Sequence, residues 1–82
     1  MPLTLDQLQP GHSAIITRLT ADGMNRRRLM DLGILPGTQL TVELKSPLGE
    51  PVAYRVRDTL IALRRSQARQ IEIELVEKEA TP

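Results

Sequence analysis

The sequence predicts an all-β protein, a small five-stranded barrel that is closed or nearly closed and has one inserted short helix. Five short segments show the alternating or β-branched pattern of strands, and only residues 24–37 carry clear helix signals. The chain has 82 residues, which suffice for one small core but not for two packed sheets. An open five-stranded sheet would leave two edges free to pair with other chains, and a closed or nearly closed barrel removes most of that liability. We therefore expect residues 1–82 to form a single domain.

The predicted strands place their apolar residues at alternate positions. In the strand after the helix, Leu40, Val42 and Leu44 alternate with polar residues and are expected to face the core. In the first strand, Ile15 and Leu19 are expected to share one face. The five predicted strands are residues 13–19, 38–44, 52–57, 60–65 and 71–75, and residues 76–82 are expected to be a frayed tail.

The helix is expected over residues 24–32 because the sequence supplies both of its ends. Asp22 can accept the free N–H groups of the first turn. Gly33 lies where a left-handed residue without a Cβ ends a helix, and Pro36 with Gly37 prevents continuation. These glycines and the proline are therefore assigned structural roles.

The predicted helix has an apolar side and a cationic side. Two turns are too short to persist alone in water, so Leu29 and Leu32 are both expected to anchor the helix to the barrel. On the other side, the simplest expectation is that Arg27 and Arg28 pair with Asp31 on a solvated face.

The residue content argues against an enzyme and against a tight metal site. The chain has one histidine, His12, and no cysteine, so it lacks the usual nucleophile and base pairs and the four ligands of a structural zinc site. His12 is expected to be exposed, and it is at most a weak candidate for an intermolecular metal site with carboxylates such as Asp6. Residues 33–37 lack the lysine and spacing of a phosphate-binding loop. No cofactor is expected.

Nucleic-acid binding is also disfavoured, although three arginines are consecutive. The helix would spread Arg26, Arg27 and Arg28 over roughly 200° of its circumference, so they would not form a single basic face. Small barrels that bind single strands use aromatic stacking platforms, whereas Tyr54 is the only aromatic residue and alternates with valines. The formal net charge is only +1.

The sequence predicts a cytoplasmic protein without direct membrane insertion. It contains no run approaching the ~20 apolar residues of a membrane span and no signal peptide pattern. The absence of cysteine fits a reducing compartment.

An apolar residue at a predicted turn suggests a surface for a partner. Pro47 and Gly49 suit the second and fourth positions of a β-turn, which places Leu48 at its tip. One interpretation makes this turn, together with Arg26 and Arg27, a partner-binding surface. The alternative is that Leu48 folds back over the barrel mouth, and the sequence is consistent with either.

Three motifs, in order, resemble the FeoA family. They are RLMDLGILPG at residues 28–37, SPLGEP at residues 46–51 and IALR at residues 61–64. Their combination is specific, although each alone is common, and the resemblance spans nearly the whole chain. The family often has glycine near Asp58, so we expect this hairpin to differ in detail.

The resemblance implies a small SH3-like barrel, as in the C-terminal domains of diphtheria-toxin-type iron repressors. It also implies a non-enzymatic cytosolic accessory of bacterial ferrous iron uptake, acting by protein–protein interaction with the membrane transporter FeoB. The resemblance further implies that this transporter carries its own GTPase domain. A corepressor-like or nucleic-acid-binding small barrel is the alternative. The chain is expected to be a monomer or a weak homodimer.

Overall fold

A computed structural model describes residues 3–76, which form one antiparallel sheet with two helices and a 3-10 turn. The strand order in the sheet is β1-β6-β2-β3-β4-β5. The strands are β1 Leu3–Thr4, β2 Ser13–Leu19, β3 Gln39–Lys45, β4 Val52–Val56, β5 Thr59–Leu63 and β6 Ile71–Leu75; the helices are α1 Gly23–Asp31 and α2 Arg65–Ala68, and the 3-10 turn is Leu5–Gln7. The predicted all-β class with an inserted short helix is confirmed.

The sheet has six strands instead of the predicted five. The additional strand, β1, pairs Leu3 with Ile73 and Thr4 with Glu72. Two residues are too few to show an alternating pattern, so no strand was predicted there. The expected frayed tail lies outside the described residues except for Val76.

The core is aliphatic apart from one tyrosine, as the composition requires. Every strand longer than two residues contributes to it, and the 3-10 turn and α2 cover it with Leu5 and Ala68. The most deeply buried large side chains are those of Tyr54, Leu5, Leu8, Ile16, Leu29, Ile34, Leu40, Leu63, Ile71 and Val42.

Two register shifts overturn part of the predicted inward pattern. The β2–β6 ladder shifts between Ile16 and Arg18, which puts Ile15 and Leu19 on opposite faces, with Ile15 exposed and Leu19 buried. The β3–β4 ladder shifts between Val42 and Leu44, and Leu44 is 67% exposed. A bulge inserts one residue and so reverses the side-chain alternation beyond it.

The end of α1 explains why only one of its two predicted anchors is buried. The Ile34 N–H donates to the Leu29 carbonyl oxygen at 3.0 Å, and the Gly33 N–H donates to that of Met30 at 3.0 Å. With Gly33 at φ 96°, this is a Schellman motif, in which the residues three before and two after the C-cap pack together. Leu29 and Ile34 are buried accordingly. Leu32 is the C-cap and 41% exposed, so its assignment as an anchor was wrong.

The start of α1 differs in detail from expectation, and the β4–β5 turn has its positive φ beside Asp58 instead of at it. Asp22 is the N-cap residue, but its side chain makes no capping hydrogen bond. In the turn between β4 and β5, the residue with positive φ is Arg57, at 57°. The backbone demand expected near Asp58 therefore falls one residue earlier.

Candidate interaction surface

The turn between β3 and β4 is fixed by its own hydrogen bonds and displays an apolar side chain. The Gly49 N–H donates to the Ser46 carbonyl oxygen at 2.8 Å, and the Ser46 hydroxyl donates to the Glu50 carbonyl oxygen at 2.7 Å. Gly49 has φ 85°, a value that suits glycine. Leu48 is 91% exposed, so its side chain does not cover the barrel mouth.

A second exposed leucine, Leu44, lies on the same hairpin and was not predicted from the sequence pattern. Leu44 lies opposite Ala53 on β4, and Ala53 lies opposite Ala62 on β5. This cross-strand row, Leu44, Ala53 and Ala62, forms an apolar strip on the outer face of the sheet. The alternating pattern predicted that Leu44 faces the core. The bulge between Val42 and Leu44 turns this side chain outward instead.

The cations of α1 are exposed and are not paired in the way the sequence suggested. Arg26, Arg27 and Arg28 are all exposed. Within residues 3–76, the ion pairs are Arg55 with Glu43 at 3.2 Å and Arg69 with Asp6 at 3.8 Å, so neither arginine expected to pair with Asp31 does so. Their charge is available to a partner.

The helix α2 lies between the β3–β4 turn and α1. On one side, the Arg65 N–H donates to the Glu50 carboxylate at 2.8 Å. On the other side, Ser66, Gln67 and Gln70 line a groove with Asn25 and Arg28. The turn and α1 thus both lie beside this short helix. The α1 residues that line the groove are Asn25 and Arg28, and the predicted pair Arg26 and Arg27 is not among its lining residues.

The predicted weak metal candidate has no ligand set around it. His12 is exposed in the loop before β2, where its N–H donates to the Gln9 carbonyl oxygen at 3.0 Å. Asp6 is occupied elsewhere, since it accepts from the Thr4 hydroxyl and pairs with Arg69. Across residues 3–76 no three acidic or histidine side chains cluster as a metal site would require.

A small cavity beside Tyr54 is too small for a drug-sized ligand. It measures about 90 Å³ and is lined in part by Asp6, Lys45, Tyr54 and Arg65. Drug-sized ligand pockets span roughly 300–1,000 Å³. Burial, with a further contribution from the negative charge of Asp6, raises the pKa of Tyr54 to about 12.

Within the described part of the chain, neither helix is long and apolar enough to cross a bilayer.

The fold and the exposed hairpin define a class, a small SH3-like β domain that presents two exposed leucines, Leu44 and Leu48, on its β3–β4 hairpin. Within that class the chain belongs to the FeoA family, because the family model described as the FeoA domain matches residues 3–75. The resemblance seen in the sequence motifs is thereby confirmed.

Relatives of known name or structure agree with this assignment. The chain is 38% identical over 79 residues to an Fe(2+) transport protein A/Fe(2+) transporter FeoB fusion protein of Porphyromonas gingivalis, covering 96% of this chain but 9% of the fusion protein. The solution structure of iron(II) transport protein A from Clostridium thermocellum is 34% identical, with a TM-score of 0.87 over 90% of this chain and 46% of that one. The crystal structure of Stenotrophomonas maltophilia FeoA complexed with zinc, described as an SH3 domain protein, is 32% identical with a TM-score of 0.77 over 88% of this chain and 89% of that one.

Proposed function

We propose that this protein is a non-enzymatic cytosolic accessory of ferrous iron uptake that acts by binding a FeoB-type membrane transporter. The observation that carries the proposal is the relative in which an FeoA segment and a FeoB transporter share one chain. Covalent linkage raises the effective concentration of two modules that work together. Where the modules are separate chains, they need a binding surface to stay associated.

The β3–β4 hairpin supplies the apolar part of that surface. Leu48 is 91% exposed on a turn held by two internal hydrogen bonds, so its docking would cost little conformational entropy. Leu44, 67% exposed on the same hairpin, extends the apolar contact. An exposed apolar side chain on a preformed turn can bury its surface against a partner without first being ordered.

Two arginines of α1 form the charged edge of the proposed interface. Arg26 and Arg27 are exposed and take no part in either described ion pair, so they remain free to meet acidic groups on the transporter. Exposed charges at the edge of an interface change the association rate and its salt dependence more than they change the affinity.

Iron sensing is assigned to the transporter, because residues 3–76 contain no cluster of metal ligands. Anaerobic calorimetry with ferrous iron is expected to show no stoichiometric sub-micromolar binding to the isolated protein. Tight binding by the monomer would contradict this division of labour.

The test is co-purification with the transporter from membranes, with Leu48→Asp as the variant. Membranes that lack the transporter are the background control. Leu75→Asp is the matched control, because Leu75 is also exposed, at 52%, but lies on β6. The expected result is loss of co-purification for Leu48→Asp and retention for Leu75→Asp, with unchanged melting temperatures. Full binding by a stable Leu48→Asp protein would reject the hairpin as the contact.

A charge variant then tests this charged edge. Arg26→Glu combined with Arg27→Glu is expected to slow association and to weaken its salt dependence while leaving the dissociation rate nearly unchanged. If binding instead collapses steeply with salt in the unmodified protein, a phosphate-dominated complex with nucleic acid replaces protein docking as the explanation.

A further inference from the structure

The two edges of the sheet are protected very differently. At one end, β1 is only two residues long, which leaves little for another strand to pair with. At the other end, β5 reads TLIAL over Thr59–Leu63 and contains no charged residue, proline or bulge. Among the described residues β5 pairs only with β4. Edge strands of natural proteins usually carry a charged residue, a proline or a bulge that prevents pairing with another chain. The absence of all three from β5 therefore requires an explanation.

The hairpin geometry identifies which backbone groups of β5 are free. Val56 and Thr59 flank a two-residue turn, and Arg57 has the positive φ that hairpin turns of this length require at their first position. The flanking residues form a hydrogen-bonded pair, and such pairs alternate along an antiparallel ladder. The N–H and C=O groups of Leu60 and Ala62 therefore point away from β4, and both residues are exposed.

We propose that β5 pairs with β5 of a second copy of this chain, joining two sheets into one across a two-fold axis. Only one antiparallel register satisfies all four free groups on each side. It places Leu60 opposite Ala62 of the partner subunit and centres the axis on Ile61. In this register the outward side chain of Leu60 packs over the partner's Ala62, and thus continues the partner's apolar strip.

The same register brings opposite charges together at both ends. Two positions beyond Leu60 and Ala62, Asp58 lies opposite Arg64 of the partner subunit, and symmetry repeats the pair. Asp58 and Arg64 are both exposed and belong to neither described ion pair. Because this edge carries both signs of charge, it fits its own copy better than it fits a uniformly acidic or basic segment. Beyond this pair the chains diverge, since Arg65 begins α2.

The small size of this contact predicts a weak dimer. A five-residue strand spans about 17 Å, and one such pairing buries less than the ~1,200 Å² of a standard stable interface. Dimerisation is therefore expected only at high protein concentration.

The first test is sedimentation of the purified protein over a concentration series, with Leu60→Lys and Leu75→Lys as matched variants. Both leucines are 52% exposed, and lysine is a residue that natural edges use to prevent pairing. Leu60→Lys is expected to weaken dimerisation about tenfold or more, and Leu75→Lys to leave it unchanged. A protein that stays monomeric throughout the series, or a dimer that Leu60→Lys does not weaken, would overturn the proposal.

The second test is a charge exchange, which does not depend on the fold tolerating a lysine. Asp58→Arg alone should weaken the dimer, and Asp58→Arg combined with Arg64→Asp should restore it. Failure of the double variant to recover would overturn the register.

The third test needs no substitution. In the monomer the amide protons of Leu60 and Ala62 have no hydrogen-bond partner in the sheet, so they exchange quickly with solvent. Raising the protein concentration should slow both, while the already bonded amide of Ile61 changes little. Protection of Leu60 and Ala62 that arises only when transporter is added, in a protein that otherwise stays monomeric, would assign the edge to a transporter strand and overturn self-pairing.

Discussion

The helix α1 and the β3–β4 turn both present side chains to solvent, but they are held in place by different means. α1 is fastened to the core by Leu29, which is 2% exposed, and by Ile34, which is fully buried. The turn has no buried anchor: one backbone hydrogen bond and one from the Ser46 hydroxyl hold it, and Leu48 remains 91% exposed. The same residue type thus stabilises the fold in one region and is free for contact in the other. Stability measurements can therefore separate the two roles.

The largest expected effect is that of Leu29→Ala, because it removes the helix anchor. Truncation of a fully buried leucine costs about 2–5 kcal/mol of unfolding free energy. Leu32→Ala, three residues away and 41% exposed in the native protein, should cost less than about 1 kcal/mol. Chemical denaturation of both variants measures the difference. Equal losses would mean that Leu32 is packed as well and that the end of α1 differs from the Schellman geometry.

The base of the hairpin, unlike its tip, is anchored in the core by Tyr54. The stability that Tyr54 contributes should therefore decrease at alkaline pH. The pKa of Tyr54 is raised to about 12 from a reference value of 10.0, so the folded protein holds the phenolic proton more tightly than the unfolded chain does. Its contribution to stability is complete below pH 10 and is lost as pH rises towards 12. The loss reaches about 2–3 kcal/mol, at ~1.4 kcal/mol per pKa unit.

Unfolding measured between pH 9 and pH 12 tests this dependence, with Tyr54→Phe as the control. The phenylalanine variant lacks the titrating group and should show a shallower decline over that range. Identical slopes for the two proteins would remove Tyr54 as the cause.

A smaller effect is expected at the C-terminal end of α1, where Gly33→Ala introduces backbone strain. Gly33 has φ 96°, which side chains rarely adopt, and the cost of such a conformation is about 1–2 kcal/mol. An added Cβ would meet only Val56 Cγ1 at 3.9 Å, so no clash contributes. Gly33→Asn is the control, since asparagine tolerates left-handed backbone better and should lose less. A larger loss for asparagine would indicate crowding in place of strain.

Much of this comparison could be predicted from the sequence. The features that could not be predicted have local structural causes. The stop of α1 at Gly33 and the turn around Leu48 were predicted because glycine and proline impose backbone angles wherever they occur. The outward position of Leu44 was not predicted, because a bulge depends on how two strands pair and leaves no mark in the periodicity of either one.

The failure at Leu32 has a related cause. Helical spacing placed Leu29 and Leu32 on one side, but the helix ends between them, and the buried partner of Leu29 is Ile34. The signal that could have found Ile34 is the pairing of apolar residues on either side of a C-terminal glycine. The assignment of partner-binding residues, Leu48, Pro47, Gly49, Arg26 and Arg27, stays a prediction.

The smallest expected effect on stability is that of Leu48→Asp, at the tip of the hairpin. A side chain that is 91% exposed has almost no buried area to lose, and substitutions at such positions usually change the unfolding free energy by less than about 0.5 kcal/mol. The hydrogen bonds of the turn involve Ser46, Gly49 and Glu50, so they remain available to the variant. Leu44→Asp is the companion variant. The native Leu44 side chain is 67% exposed at a bulge, so about a third of it is covered. Its replacement should therefore lower the unfolding free energy slightly more than Leu48→Asp does. Thermal unfolding of both, beside Leu29→Ala, gives the full range of the comparison. If Leu48→Asp lowered the melting temperature by as much as Leu29→Ala does, Leu48 would be a core residue in solution, and the contrast between a buried helix anchor and a free hairpin tip would be wrong.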